Sequence, residues 1–192
     1  MMQLECQMVH KEEKSIVNKV KKTLYLLISL LIGLLLYIFL HELGHLIVML
    51  YAGAKIIDFS IVTTHVTAIG GNYSNLSNLW LHVNGMLFPE IVSIVYMLFY
   101  KKENSSSFYH IFSYIASLLP VCSGFAWVIV PLIYIQGNVP VHDDVTMFLH
   151  SFTQNYHPLI VSVVAMFIIA TSASIMVKKG IVKNFIVEMR KQ

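Results

Sequence analysis

The side chains best suited to chemistry lie in the run His41-Glu42-Leu43-Gly44-His45. If this run is helical, residues four apart project from one face, so the two imidazoles can grip one Zn²⁺ ion. Glu42 lies beside the first histidine, where its carboxylate can take a proton from a metal-activated water instead of binding the metal. The spacing therefore predicts a hydrolytic zinc site, with His41 and His45 as metal ligands and Glu42 as the catalytic base.

The surroundings of this motif are apolar. Its members are the only charged or imidazole side chains between Leu24 and Tyr51. An acidic group near the centre of a membrane helix costs about 2.5–3.5 kcal/mol on insertion scales. Metal ligation with a buried water would offset that cost. The structural alternative is a pair of histidines bonded to the backbone beside a protonated glutamate.

Four stretches are long and apolar enough for membrane-spanning helices, each of which needs roughly 20 residues. They run over 24–51, 79–100, 108–136 and 158–177. With 57% hydrophobic residues, 12% charged residues and a mean hydropathy of +0.71, the chain has too few polar groups to cover a water-soluble globule. The first stretch exceeds the apolar core of a signal peptide, which is about 7–15 residues, so we expect a permanent helix.

We therefore expect an all-α integral membrane protein with about four transmembrane helices. A lysine-rich tail, frayed or amphipathic, covers residues 1–22, the membrane-embedded domain 23–177 and a basic tail 178–192. If both termini and the loop over 101–107 are cytoplasmic, 12 of the 13 Lys and Arg residues lie inside and only Lys55 lies outside, as the positive-inside rule requires. The basic residues then need no nucleic-acid partner. Small size without organelle signals favours the bacterial plasma membrane.

The segment between the first two predicted helices has strand character. Residues 54–66 are rich in β-branched and apolar side chains and precede the turn formers Gly70 and Gly71, which predicts a short hairpin or edge strand. In a peptidase such an edge can pair with an extended substrate, and a plain connecting loop is the alternative. Farther along, Pro120 and Pro131 predict a kink or a break in the third helix.

The HELGH run within an apolar helix, followed by Gly53 in YAGAKI, resembles the site-2 protease family of intramembrane zinc metalloproteases. The resemblance covers about residues 36–60. Beyond it, Asn84-Gly85-Met86 keeps the glycine of the family's middle-helix pattern without its proline. The resemblance implies hydrolysis of peptide bonds in membrane-associated proteins and a third zinc ligand, an aspartate from a later membrane segment. Better-known members place the zinc nearer the cytoplasmic face, whereas the topology predicted here puts the motif toward the outer side.

The candidates for that third ligand are Asp143 and Asp144, which also lie in a segment predicted to be on the outer side. Asp144, directly before the apolar Val145, fits the family's form best, and Asp143 is close behind. Helix N-capping is the alternative, because a pair of aspartates after Pro140 suits the start of a helix. Ligation and capping are compatible, since one aspartate can do each.

Glu90, in the second predicted helix, is the rival third ligand. An intramembrane carboxylate is a candidate functional group, and its separation from His45 suits peptidases with a glutamate ligand. Alternatively, it could orient a ligating histidine through a hydrogen bond. Other polar residues expected on the same side of the membrane are interpreted as surface or interface groups: His65, His82, Asn84, His142 and His150.

The combined expectation is an intramembrane zinc metallopeptidase acting on membrane-protein or peptide substrates. Two other classes stay open. One is a non-catalytic membrane scaffold or regulator with a structural metal site, in which Glu42→Gln would leave function intact. The other is a small transporter or channel subunit, suggested by Glu90 and the prolines, which would carry a solute flux without stoichiometric zinc.

Overall fold

The computed structural model describes residues 2–61, 63–137 and 143–191, with side chains from residue 13 onward. Within that part of the chain, helices and a two-stranded sheet follow one another in a simple order. They are α1 (Met2–Tyr51), β1 (Ala54–Ser60), β2 (His65–Gly70), α2 (Asn75–Leu98), α3 (Ser107–Ile135), α4 (Asp144–Phe152), α5 (Leu159–Lys178) and α6 (Ile181–Arg190).

Four of these helices are long and apolar enough to cross a membrane: Glu13–Tyr51 of α1, and the whole of α2, α3 and α5. Only 11% to 33% of the most apolar part of each is buried inside the protein. The outward faces therefore present large apolar side chains, such as Leu31 (61% exposed) and Phe167 (73% exposed). The prediction of a mainly helical chain with four such segments is confirmed.

The helices depart from the predicted bounds in three ways. Helix α1 begins at Met2, so the segment predicted as a frayed or amphipathic tail continues the first apolar helix. Helix α3 runs through Pro120 and Pro131 without the predicted alternative of a break. The short helices α4 and α6 were not predicted, since their 9 and 10 residues are fewer than the roughly 11–18 over which helical periodicity is recognised.

The predicted hairpin is confirmed. Gly53, with φ of +79°, follows α1 in a left-handed conformation that ends the helix. Strands β1 and β2 then pair antiparallel, from Ala54 opposite Gly70 to Ser60 opposite His65, with one irregularity in β1. The sheet has two strands, so each strand keeps one edge without a partner strand in the described residues.

Helix packing gives the molecule two different ends. Helix α1 packs against α2 and α3, and the short α4 packs against α2 and α3 beside the C-terminal part of α1. At the other end, Lys179 Nζ donates to the backbone oxygen of Leu98 over 2.7 Å, and Asn184 Nδ2 donates to that of Lys102 over 2.9 Å. The basic segments that follow α2 and α5 therefore meet at one end, away from α4.

Candidate metal centre

His41 and His45 lie on one face of α1, because residues four apart in an α-helix stack one turn apart. Their Nε2 atoms are 3.1 Å apart. The Nδ1 atom of His45 is 2.7 Å from the backbone oxygen of Leu81 in α2. A carbonyl oxygen can only accept, so His45 carries a proton on Nδ1, and the Nε2 atom of the neutral ring presents a bare lone pair.

Asp144, the first residue of α4, brings a carboxylate to the same point. Its Oδ2 atom lies 3.2 Å from Nε2 of His41 and 3.2 Å from Nε2 of His45. Helix α4 holds this position because Val145 and Leu149 are buried in the core that it shares with α2 and α3. The side chains of His41 and Asp144 remain 26% and 30% exposed, which leaves the centre accessible to water.

His41, His45 and Asp144 form a group that could bind a metal ion, with one ligand atom from each within 4.8 Å of the others. Ligand atoms about 2.0–2.1 Å from a tetrahedral zinc ion lie about 3.3–3.4 Å from one another. The separations of 3.1, 3.2 and 3.2 Å come within a few tenths of an ångström of that value. Moreover, the neutral imidazoles can bring at most one proton, on His41 Nε2, to these three acceptor atoms. A cation would satisfy all three.

Gly85 in α2 leaves the space beside the imidazoles free. A Cβ atom at this position would lie 2.5 Å from Nε2 of His45 and 2.8 Å from Cε1 of His41. Gly44 in α1 lets the backbone of α2 come equally close, because a Cβ atom at this position would lie 2.3 Å from the backbone oxygen of Asn84. Asn84 also donates from Nδ2 to the backbone oxygen of Gly44 over 2.7 Å. The two glycines thus bring α1 and α2 together and keep the space that an ion needs.

Asp143, predicted as a possible ligand, is not a member of this group. Its Oδ1 atom accepts from the backbone N–H groups of Val145 and Thr146, over 2.9 and 3.0 Å. Its Oδ2 atom accepts from the hydroxyl of Thr146 over 2.6 Å. Both oxygens of Asp143 are therefore used in capping α4. The two aspartates divide the roles: the first begins the helix and the second faces the histidines.

Glu90, the rival third ligand, also lies outside the group. It is buried, 3% exposed, and accepts a hydrogen bond from the hydroxyl of Ser172 in α5. Five residues separate it from Gly85, which turns its side chain by about 140° around the axis of α2. Glu90 therefore faces α5 instead of α1. Glu42, predicted as a base and not as a ligand, is buried with 5% exposed and is not part of the ligand group.

His82 is the residue at this centre that the sequence did not single out. Its Nδ1 atom lies 3.4 Å from Oδ1 of Asp144, the carboxylate oxygen that does not face the two histidines. The available signal was its position three residues before Gly85, on the same side of α2. Of the other histidines considered, His65 bonds to Asp58 on the hairpin, His150 contacts Tyr134, and His142 lies outside the described residues.

The surroundings of Asp144 favour its ionised form. Burial by itself would raise the pKa of this carboxyl, but the imidazole groups of His41, His45 and His82 around it outweigh burial and hold the pKa well below its usual range. The ionised carboxylate is the form that binds a cation.

No protein-family model, curated protein or solved structure matches the chain.

Proposed function

We propose that the chain is an integral membrane zinc metallopeptidase of the site-2 protease type, which hydrolyses peptide bonds in membrane-associated proteins. The observation that carries the proposal is the convergence of His41, His45 and Asp144 on one point, with the acid Glu42 beside the first ligand and left out of the ligand set. Two nitrogen ligands and one oxygen ligand leave a fourth position open, as catalytic zinc sites of hydrolases do.

The donor set favours zinc among the common metal ions. Mg²⁺ and Ca²⁺ prefer oxygen ligands throughout, whereas Cu(I) prefers sulfur ligands. Two imidazoles with one carboxylate suit Zn²⁺. When bound, the ion would polarise the substrate carbonyl and make a water more acidic.

The residues around the ligands would each do one part of the reaction. Glu42 takes a proton from the attacking water and passes it to the nitrogen of the leaving amine as the peptide bond breaks. The backbone oxygen of Leu81 holds the ring of His45 in the tautomer whose Nε2 can bind a metal. His82 donates to Oδ1 of Asp144, which directs Oδ2 toward the histidines. Water reaches the centre beside His41 and Asp144, whose side chains are 26% and 30% exposed.

A groove beside the centre offers a place for the substrate backbone. It has a volume of about 520 Å³ and lies between the end of α1 and the start of α2, where Val48, Trp80 and Asn84 contribute to its wall. Val48 follows His41 by seven residues and therefore lies on the same face of α1. Because peptide bonds inside a helix are shielded, the substrate would bind as an extended or locally unwound segment.

The apolar outer surface supports insertion into a membrane. Large exposed apolar side chains cover the outward faces of four helices, which is the pattern expected against lipid and not against water. The basic segments after α2 and α5 meet at one end, which we assign to the cytoplasmic side. The metal centre then lies toward the opposite side of the bilayer.

The decisive experiment compares three purified, detergent-solubilised proteins: wild type, Glu42→Gln and His41→Ala. Zinc content is measured by mass spectrometry, and cleavage is measured on a mixture of synthetic apolar peptides. We expect wild type and Glu42→Gln to hold about one zinc each, while Glu42→Gln loses cleavage by about 10²–10⁴-fold, the usual contribution of a general base. His41→Ala is expected to lose both zinc and cleavage.

Glu90→Gln is the matched control, because it replaces another buried carboxyl group with an amide without touching the metal centre. Full cleavage in Glu42→Gln would exclude Glu42 as the base. Zinc bound at one equivalent without any cleavage in wild type would instead favour a scaffold with a structural metal site.

A further inference from the structure

A second cavity, of about 170 Å³, lies between α2, α3, α4 and α5, and its wall is entirely apolar. Helix α4 contributes Phe148, whose ring packs 5.3 Å from that of Trp127, centroid to centroid. Phe152 stacks on Phe148 at the same centroid separation, 5.3 Å. Met86 and Ala165 complete the inner wall and are buried, 5% and 3% exposed.

This cavity lies close to the metal centre. Phe148 follows Asp144 by four residues on α4, so the two Cβ atoms are about 5–6 Å apart on the same face of the helix. Met86 directly follows Gly85, the residue that packs against His41 and His45. The same two helices, α2 and α4, therefore carry both the metal centre and the cavity wall. A group bound in the cavity would sit about one helical turn from the ligands.

The size and chemistry of the cavity define what it can hold. An apolar cavity of about 150 Å³ in a protein core stays dry and binds benzene, so 170 Å³ suits one aromatic or branched aliphatic group. A charged or amide group would lose its hydrogen bonds there, since the wall offers it no partner. The mouth lies along α5, where Ile160 and Val164 are 46% and 52% exposed, so a ligand can enter from the side.

We propose that this cavity receives an aromatic or branched aliphatic side chain of the substrate, next to the peptide bond that is cleaved. The inference rests on the proposed peptidase function and adds the feature that selects substrates. Helix α4 packs against α2 and contributes to the wall of the cavity. The wall is apolar, the volume suits one side chain, and Asp144 lies one helical turn before Phe148. Peptides with Phe or Leu at the matching position are cleaved faster than peptides with Ala or Asp there.

The test profiles cleavage of a synthetic peptide library in which every position is varied among Phe, Leu, Ala and Asp. Wild type is compared with Ala165→Leu, which fills the inner wall, and with Val164→Phe, which fills the mouth. The matched control is Val163→Phe, the same change at the neighbouring residue of α5, which is 59% exposed and does not line the cavity. Zinc content is measured for every variant.

Wild type is expected to prefer Phe or Leu over Ala by about tenfold or more at one position, the usual effect of filling an apolar pocket. Ala165→Leu and Val164→Phe lose this preference while keeping zinc and cleavage of Ala peptides, and Val163→Phe keeps it. If Ala165→Leu fails to accumulate, Val164→Phe decides the question, because its side chain is at the half-exposed mouth.

The two proposals fail in different ways. If wild type cleaves no peptide, or if its cleavage does not depend on Glu42, the peptidase function itself is wrong. If wild type cleaves peptides but prefers no apolar residue, or if the preference survives both cavity-filling variants, the function stands and the side-chain pocket is excluded. The latter result would assign the cavity to a lipid acyl chain or to empty space.

Discussion

Two carboxyl groups, the buried Glu90 and the partly exposed Asp144, show how differently the same chemical group can be accommodated in this molecule. Glu90 lies between α2 and α5 and accepts a hydrogen bond from the hydroxyl of Ser172. Asp144 lies at the start of α4, where its Oδ2 atom faces two imidazole nitrogens at 3.2 Å. One of these nitrogens, on His45, has no proton to offer while the ring is neutral, because its N–H points to the backbone oxygen of Leu81.

The difference shows that burial alone does not make a metal site. Glu90 faces a hydroxyl donor, and no other metal-ligating side chain of the described residues converges on it. An acid that faces other acceptors needs a cation or extra protons. The acceptor triangle of His41, His45 and Asp144 is of the second kind.

Asp144→Asn and Glu90→Gln each replace a carboxyl group with an amide of nearly the same shape. We expect Asp144→Asn to weaken zinc binding by more than about 100-fold. Loss of a residue that only hydrogen-bonds to a ligand weakens metal binding by roughly 10–100-fold, and loss of the ligand itself weakens it more. Glu90→Gln should bind zinc as wild type does. Competition with a chelating dye measures both affinities. Equal losses in the two variants would mean that the comparison between them is wrong.

Gly85→Ala tests the space that α2 leaves beside the imidazoles. The added Cβ would lie 2.5 Å from Nε2 of His45, so the ring or the helix must move. We expect zinc binding to weaken by about 1–3 kcal/mol, the usual cost of overpacking. Gly33→Ala is the control, because its Cβ would meet only side-chain methyl groups, of Ile115 and Leu119, at 3.1 and 3.2 Å. Unchanged affinity in Gly85→Ala would show that the imidazoles do not need this space.

His82→Leu and His82→Asn test whether a donor must face the second oxygen of Asp144. Leucine cannot donate, and we expect about 10–100-fold weaker zinc binding. Asparagine keeps an N–H group near the position of Nδ1 and should restore part of the affinity. The absorption spectrum of the Co²⁺-substituted protein reports whether the ligand geometry changes. If leucine and asparagine behave alike, His82 acts by packing and not by hydrogen bonding.

Asp143→Ala separates capping from ligation in the adjacent aspartate. The variant loses the N-cap bonds to Val145 and Thr146, which should destabilise α4 by about 0.5–2 kcal/mol. Hydrogen exchange of the α4 amides should speed up while one equivalent of zinc is still bound. Ser106→Ala, which removes the cap of α3, is the control and should leave α4 exchange unchanged. Complete loss of zinc in Asp143→Ala would give Asp143 a direct role in binding.

Much of the local structure could be predicted from the sequence. The four apolar segments and the hairpin follow from composition and residue pattern, because helices in lipid need long apolar runs and strands favour β-branched side chains. The pairing of His41 with His45 is equally local, since one helical turn brings positions four apart together. The short helix α4 escaped prediction, although its capping aspartate was recognised as one of two alternatives.

That two imidazoles share one face of an apolar helix follows from the motif alone, because this geometry depends only on the repeat of the α-helix. Which acid meets them depends on the packing of the helices. Asp144 and Glu90 were both candidates, and which of them meets the histidines depends on how α4 packs against α2 and which way α2 is turned. The contacts of these two acids with His82 and Ser172 join residues 62 and 82 positions apart, so no local pattern encodes them.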